Sequence, residues 1–204
     1  MKKQPETRTE VTWFARPGRA CTARTLALAL ARGRELGLRH YIVASTTGAT
    51  ATRLARLLRP GERAVCVGHH FGFREPGRSE LTPAAERKLA ALKVPVLRTT
   101  HALSGVERAN RLEFGGLGPA ETIAWTYRTF GEGTKVAVEV AVMALDAGLI
   151  PHGEETLAIG GTGSGADTAL IIRPAHTRRF YDTVISEIIC KPRTRGTDQE
   201  EPYA

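Results

Sequence analysis

Two short stretches combine residue types suited to holding an anion. Ser45, Thr46, Thr47, Gly48, Ala49 and Thr50 follow one apolar run; Gly161, Thr162, Gly163, Ser164 and Gly165 follow another. Hydroxyls supply donors, and a glycine lets the backbone come close. A helix opening near Ala49 aims unsatisfied N–H groups and the positive end of its dipole at the same point. The plainer reading of the first stretch is a tight connection at which Thr46 or Thr47 caps that helix. His69, His70 and His101 come after further apolar runs and are expected to flank any such cradle, either as ligand contacts or, on the plainer reading, as ordinary loop or core histidines. Lys135 and Glu139 stand four apart in an otherwise apolar segment, the spacing of an ion pair on one helix face. The same lysine, just after Gly131 and Gly133, is also placed to reach a ligand's negative charge. Trp125 and Tyr127 can stack on a ring or simply pack. Asp167 is expected to orient the glycine turn through a local hydrogen bond. No HxH, HxxxH or CxxC spacing occurs, so no metal site is expected.

Two nucleotide motifs are imitated and fail. GTGSGA at 161–166 fits the glycine spacing of a dinucleotide fingerprint and follows a strand-like run. The fingerprint must open a helix, whereas DTALIIRP continues as a β-rich run ending in Pro174. GEGTK at 131–135 lacks both the terminal GKS/GKT and a preceding strand.

The elements that must position these residues alternate. Residues 22–36 place Leu26, Ala29, Leu30, Gly33 and Leu36 on one helical face, with Thr22 as N-cap and Gly37 as left-handed C-cap. A strand over 41–45 leads into a helix of about three turns with Ala51, Leu54, Ala55 and Leu58 inward and Arg53, Arg56 and Arg59 outward. Strands are expected over 63–68, 94–100, 156–160 and 168–173, the last two joined by the glycine turn. Further helices are expected from Thr82 and Pro83, from Pro119 with Ile123, Tyr127 and Phe130 on one stripe, and over 135–148, the last apolar enough to lie deep. Residues 182–190 form a last mixed segment. Strands alternating with helices imply βαβ units. The expected architecture is a three-layer α/β/α domain over 11–192, its sheet mainly parallel with an antiparallel C-terminal strand. Residues 1–10 and 193–204 read as tails. In such a sheet the turns after the parallel strands emerge at one edge, where ligands bind.

The 204 residues carry a net charge of +8, and residues 1–60 hold twelve Lys and Arg against three Glu. Those cations are scattered over expected helix surfaces, with no basic run and little aromatic interleaving, which argues against nucleic acid as partner. The basic side still steers small anions. No segment reads as a secretory leader or membrane span, which leads to an expectation of a cytoplasmic protein without membrane contact. Cys21, Cys66 and Cys190 are odd in number and far apart, and read as reduced thiols.

VEVAVMALDAGLIPHGEETLAIGGTGSGADTALIIRP (138–174) resembles the end of the C-terminal domain of pyruvate kinase, and HYIVASTTGATATRLARLLRP (40–60) resembles its start. The similarity covers most of residues 38–174, its two glycine-containing turns being the most specific part. Residues 12–38 are more similar to free-standing archaeal and bacterial relatives of that domain. The resemblance implies a phosphorylated effector held between Ser45–Thr50 and Gly161–Gly165, and flavin mononucleotide (FMN) as a candidate cofactor, since the free-standing relatives are associated with it. It also implies no pyruvate kinase activity, because the catalytic barrel is missing. Two roles follow: binding of a phosphorylated small molecule, with flavin chemistry if the protein is an enzyme, or a non-enzymatic regulatory module acting through homo-oligomer contacts.

Overall fold

The computed structural model describes residues 6–194. Of the expected tails at 1–10 and 193–204, residues 1–5 and 195–204 lie outside the described residues, and residues 6–11 carry no regular structure. The elements are β1 (Thr12–Phe14), α1 (Thr22–Glu35), β2 (His40–Ala44), α2 (Ala49–Ala55), β3 (Arg63–Gly68), α3 (Pro83–Ala91), β4 (Val96–Arg98), α4 (Gly105–Phe114), α5 (Pro119–Arg128), α6 (Glu132–Asp146), β5 (Thr156–Gly160), β6 (Thr168–Arg173) and β7 (Val184–Pro192). The strands form one sheet in the order β1-β7-β6-β5-β2-β3-β4. β2 pairs in parallel with β3 and β5, and β3 with β4. β6 runs antiparallel to both β5 and β7, and β1 is parallel to β7. Six strands therefore run one way and β6 alone opposes them, in a mainly parallel α/β sheet covered on both faces.

Double coverage explains why the central strands are apolar throughout. Tyr41 and Val43 of β2, Cys66 of β3, Leu157 and Ile159 of β5 and Ile171 of β6 join Leu26, Ala29 and Leu30 of α1 and Leu54 of α2 in one core. Their neighbours face the other way: Ala158, Leu170 and Ile172 meet Ala137, Val138 and Ala141 of α6. Ile42, Val65 and Val67 meet Val140, Met143 and Ala144 of the same helix. The period-two alternation of strand side chains thus splits each strand between two helical layers. Helix α6 packs against the middle of the sheet and is buried along nearly its whole length. No helix among the described residues is long and apolar enough to cross a membrane.

Several local expectations are corrected. Helix α2 stops at Ala55, not Leu58, because the chain turns there and Leu57 is half exposed. Cys21, not Thr22, occupies the N-cap of α1, and Leu36 and Phe130 are exposed rather than inward. Gly37 takes the left-handed conformation just past α1, as its place in the sequence suggests. Thr82 caps α3, its hydroxyl accepting from the Ala85 N–H at 3.2 Å. Cys21, Cys66 and Cys190 are free thiols. Burial pushes Cys66 and Cys190 up to about 12, so both behave as small apolar side chains.

Candidate functional site

The strand order reverses at β2: the chain builds outward through β3 and β4, then returns to place β5 on the other flank of β2. A crevice opens at the carboxyl ends of the strands at such a point. Here it is a cleft of about 1250 Å³. Ser45, Thr46, Thr47, Ala49, Thr50, His101, Lys135, Gly161, Thr162, Gly163, Ser164 and Gly165 all line it. The two anion-suited stretches therefore face one space. Gly48 does not line it. Its φ of +78° suits glycine, and a Cβ there would lie 2.8 Å from Leu81 Cδ1, so this residue serves the turn and the packing of α3.

In the threonine turn, Ser45 is buried and its Oγ accepts from the Ala51 N–H at 3.3 Å. The helix cap is thus supplied by Ser45, not by Thr46 or Thr47. The hydroxyls of Thr46, Thr47 and Thr50 make no hydrogen bond within the described residues, while all three line the cleft. Because α2 has only seven residues, these hydroxyls matter more for an anion than its dipole does.

The glycine turn is braced from behind. Asp167 is fully buried; its Oδ2 accepts from the N–H groups of Thr162 at 3.0 Å and Gly18 at 2.9 Å, and its Oδ1 from the Thr168 hydroxyl at 2.8 Å. Thr22 Oγ1 donates to Arg19 O at 2.8 Å and accepts from the Ala166 N–H at 3.0 Å. A Cβ on Gly165 would stand 2.4 Å from that hydroxyl, and one on Gly161 would stand 2.3 Å from the Gly165 carbonyl oxygen. Gly161 is therefore required by the turn's own closure and Gly165 by the segment Arg19–Thr22 packed against it, leaving Gly163 and Ser164 as the exposed tip. Replacing Asp167 with alanine orphans two backbone donors and a hydroxyl. Charge-assisted bonds of this kind contribute about 1.5–3 kcal/mol each when local water cannot substitute fully. The expected loss is about 3 kcal/mol in urea unfolding, with Asp167→Asn losing less because one acceptor oxygen remains.

On the floor of the cleft, Lys135 Nζ lies 2.5 Å from Glu139 Oε2, with both side chains buried. Glu139 Oε1 also accepts from the Leu103 N–H at 2.8 Å. Burial alone would raise the Glu139 carboxyl, but the charge of Lys135, the charge that His101 takes on in acid and the two hydrogen bonds outweigh it and hold the group below its ordinary value. Burial, reinforced by Lys135, His69 and His70, pushes His101 down to about 4, so its ring is neutral at pH 7. His69 also lines the cleft, with its Nδ1 3.0 Å from Glu80 Oε1. His70 does not line it; its Nδ1 lies 2.6 Å from the Phe71 carbonyl oxygen. Trp125 reaches the cleft with the Arg128 guanidinium 4.9 Å from its ring, whereas Tyr127 packs edge-on against Phe180.

Sequence reasoning missed most of the cationic lining. Arg19, Arg53, Arg74, Arg108, Arg128 and Lys135 stand there against Glu80, Glu132 and Glu139. Arg128 pairs with Glu132 and Arg74 with Glu80, while Arg19 and Arg53 form no ion pair among the described residues. Arg19 lies against the glycine turn, its Cα 2.7 Å from where a Gly165 Cβ would be. Arg53 follows Thr50 by one helical turn. That spacing was a legible signal for Arg53, although its outward position on α2 pointed to a solvated face. Arg19 gave no signal, because β1 reaches the edge only through its pairing with β7, far along the chain. No protein-family model matches the sequence. Fold and geometry together define the class: an α/β protein with an electropositive crevice at its strand-order reversal.

Proposed function

We propose that this chain binds a phosphorylated small molecule in the crevice, as a free-standing relative of the pyruvate kinase C-terminal domain, with FMN as the candidate ligand. One observation carries the reading. Three threonine hydroxyls without protein partners, the exposed tip of the glycine turn, and the cations of Arg19 and Arg53 all line the one cleft. Hydroxyl and backbone donors beside arginines are the groups that bind phosphate, because charge-assisted hydrogen bonds to its oxygens are the strong ones. Mass spectrometry of the small molecule retained through purification tests this directly, and a flavin shows itself by its visible absorption. Thr47→Glu and Ser164→Glu both fall on exposed positions and place negative charge in the cradle. Each is expected to lower retention at least about tenfold with the fold unchanged by circular dichroism, one unit of tenfold being about 1.4 kcal/mol. Unchanged retention in both would move the site elsewhere.

The assembly reading is favoured by a different observation. Val106, Leu112 and Phe114 of α4 are each more than 60% exposed, leaving large apolar side chains of this helix in contact with solvent. Light scattering of a colourless, ligand-free preparation that gave a stable oligomer would support that role.

A further inference from the structure

The crevice contains a second chemical device, beyond the phosphate cradle. The loops across the sheet edge follow the strand order: the glycine turn after β5, the threonine turn after β2, His69 directly after β3, and His101 three residues after β4. Neighbouring strands are about 4.8 Å apart, so a ligand whose phosphate sits between the first two loops presents atoms one and two strand spacings away, over the histidines. This matches a phosphorylated chain of a few carbons.

The two imidazoles have different settings. His69 is held by two contacts, Glu80 Oε1 3.0 Å from its Nδ1 and the Phe73 ring 3.9 Å from its own, and Glu80 is itself met by Arg74 at 3.5 Å. A carboxylate can only accept, so Nδ1 carries the hydrogen toward Glu80, and in the neutral ring Nε2 then holds the lone pair. That nitrogen has no partner among the described residues. His101 lies 5.5 Å away between ring centroids, is neutral, and neither ring nitrogen hydrogen-bonds to the protein. A neutral imidazole N–H is a donor without a charge to discharge. A carboxylate-held imidazole beside it is a base. Two imidazoles this close, one held by a carboxylate and one without a protein hydrogen bond, are placed for base and donor roles.

We infer that His69 and His101 form a proton-transfer centre acting on a phosphorylated carbonyl compound held at the two turns, with Glu80 as positioning residue for His69. The inference rests on the phosphate-binding reading. His69 Nε2 takes a proton from the carbon next to the carbonyl. The C–H electron pair becomes the new C=C bond, the carbonyl π pair moves to oxygen, and His101 N–H donates a hydrogen bond to that oxygen. Return of the proton from His69 to the same carbon regenerates the starting compound, and return to the neighbouring carbon, after the hydroxyl proton has shifted, gives its aldose or ketose isomer. No oxidant, reductant or metal is consumed.

The test uses the purified chain in D2O with fructose 6-phosphate and dihydroxyacetone phosphate as probes, following binding by ligand line broadening and exchange by loss of the proton signal at the carbon beside the carbonyl. The expected result is binding together with exchange. His69→Asn is expected to lose at least about 100-fold in exchange rate while still binding, the usual contribution of a positioned base. His101→Phe should lose a similar factor. Glu80→Gln should lower kcat about tenfold with KM little changed, and Glu80→Asp should recover part of it. Binding without exchange overturns the proton-transfer centre and leaves the phosphate reading standing. No binding of either probe or of inorganic phosphate overturns both. Exchange that persists in His69→Asn also overturns the centre, since a contaminating isomerase is blind to that substitution.

Discussion

Glu139→Ala is expected to be among the most destabilising substitutions in the molecule, costing about 3–5 kcal/mol, because it strands the Lys135 ammonium in a buried position. Both partners are less than a tenth exposed, and Glu139 has two duties: the ion pair and the Leu103 N–H. For a chain of this length each kcal/mol lowers Tm by about 2–4 °C, so a fall of about 10 °C should appear by calorimetry. The pH dependence has a defined sign. The folded-state carboxyl is held below its ordinary value of 4.5, so its stabilisation is fully present above that pH and disappears as pH falls through the folded value. The difference between wild type and Glu139→Ala should therefore be constant near neutrality and narrow in acid. Removing both charges, as Lys135→Met with Glu139→Leu, should recover most of the loss, because a buried pair replaced by apolar groups of similar size is often neutral. A single-variant cost below about 1 kcal/mol would mean that water reaches Lys135 and that the floor of the cleft is open.

How far these residues could be read from sequence depends on whether their determinants are local. The central strands declared themselves because both faces are covered, which makes Ile42, Val65, Ala158 and Leu170 apolar together with their neighbours. Helix α6 declared itself in the same way, as an apolar segment over a full helical length. Helix α4 was not foreseen. Its sequence is more amphipathic than that of α1, α3, α5 or α6, so the signal was present in the periodicity and was overlooked, although the helix buries none of its residues completely. Strand β1 was hidden for another reason: three residues hold no periodicity, and the partner that orders them is Cys190 to Pro192 of β7. The candidate site divided along the same line. Hydroxyls, glycines and the Lys135 and Glu139 spacing are local patterns and were visible. The pairing of His69 with Glu80 spans a glycine-rich loop whose path no periodicity sets, and the brace from Asp167 to Gly18 joins residues 149 apart. The glycines were read for what they let in, whereas Gly161 and Gly165 are needed chiefly for what they press against.

Gly160→Ala is the case in which that pressure should be greatest. Gly160 ends β5 and is buried, and a Cβ there would lie 2.1 Å from the Gly133 carbonyl oxygen and 2.9 Å from the Ala137 nitrogen. Both are backbone atoms of α6, so no side chain can swing aside; the helix itself must lift from the sheet. Overpacking against a fixed neighbour typically costs about 1–3 kcal/mol, and the absence of any soft atom puts this substitution at or above about 3 kcal/mol. Its backbone is not in the left-handed region, so the penalty is wholly steric. Gly153 provides the opposite case, with φ of +83° and nothing within 4 Å of its missing Cβ. Gly153→Ala should cost only about 1 kcal/mol, from conformation alone. Chemical unfolding of the two variants side by side separates the effects. The functional consequence follows from the same contact. Helix α6 carries Lys135 and Glu139, and β5 leads into the glycine turn, so lifting one from the other spreads the two halves of the crevice. On the proposed phosphate-binding reading, Gly160→Ala should lose ligand retention at temperatures where it is still folded, whereas Gly153→Ala should keep it; equal retention in both would mean that the helix–strand contact does not set the width of the cleft.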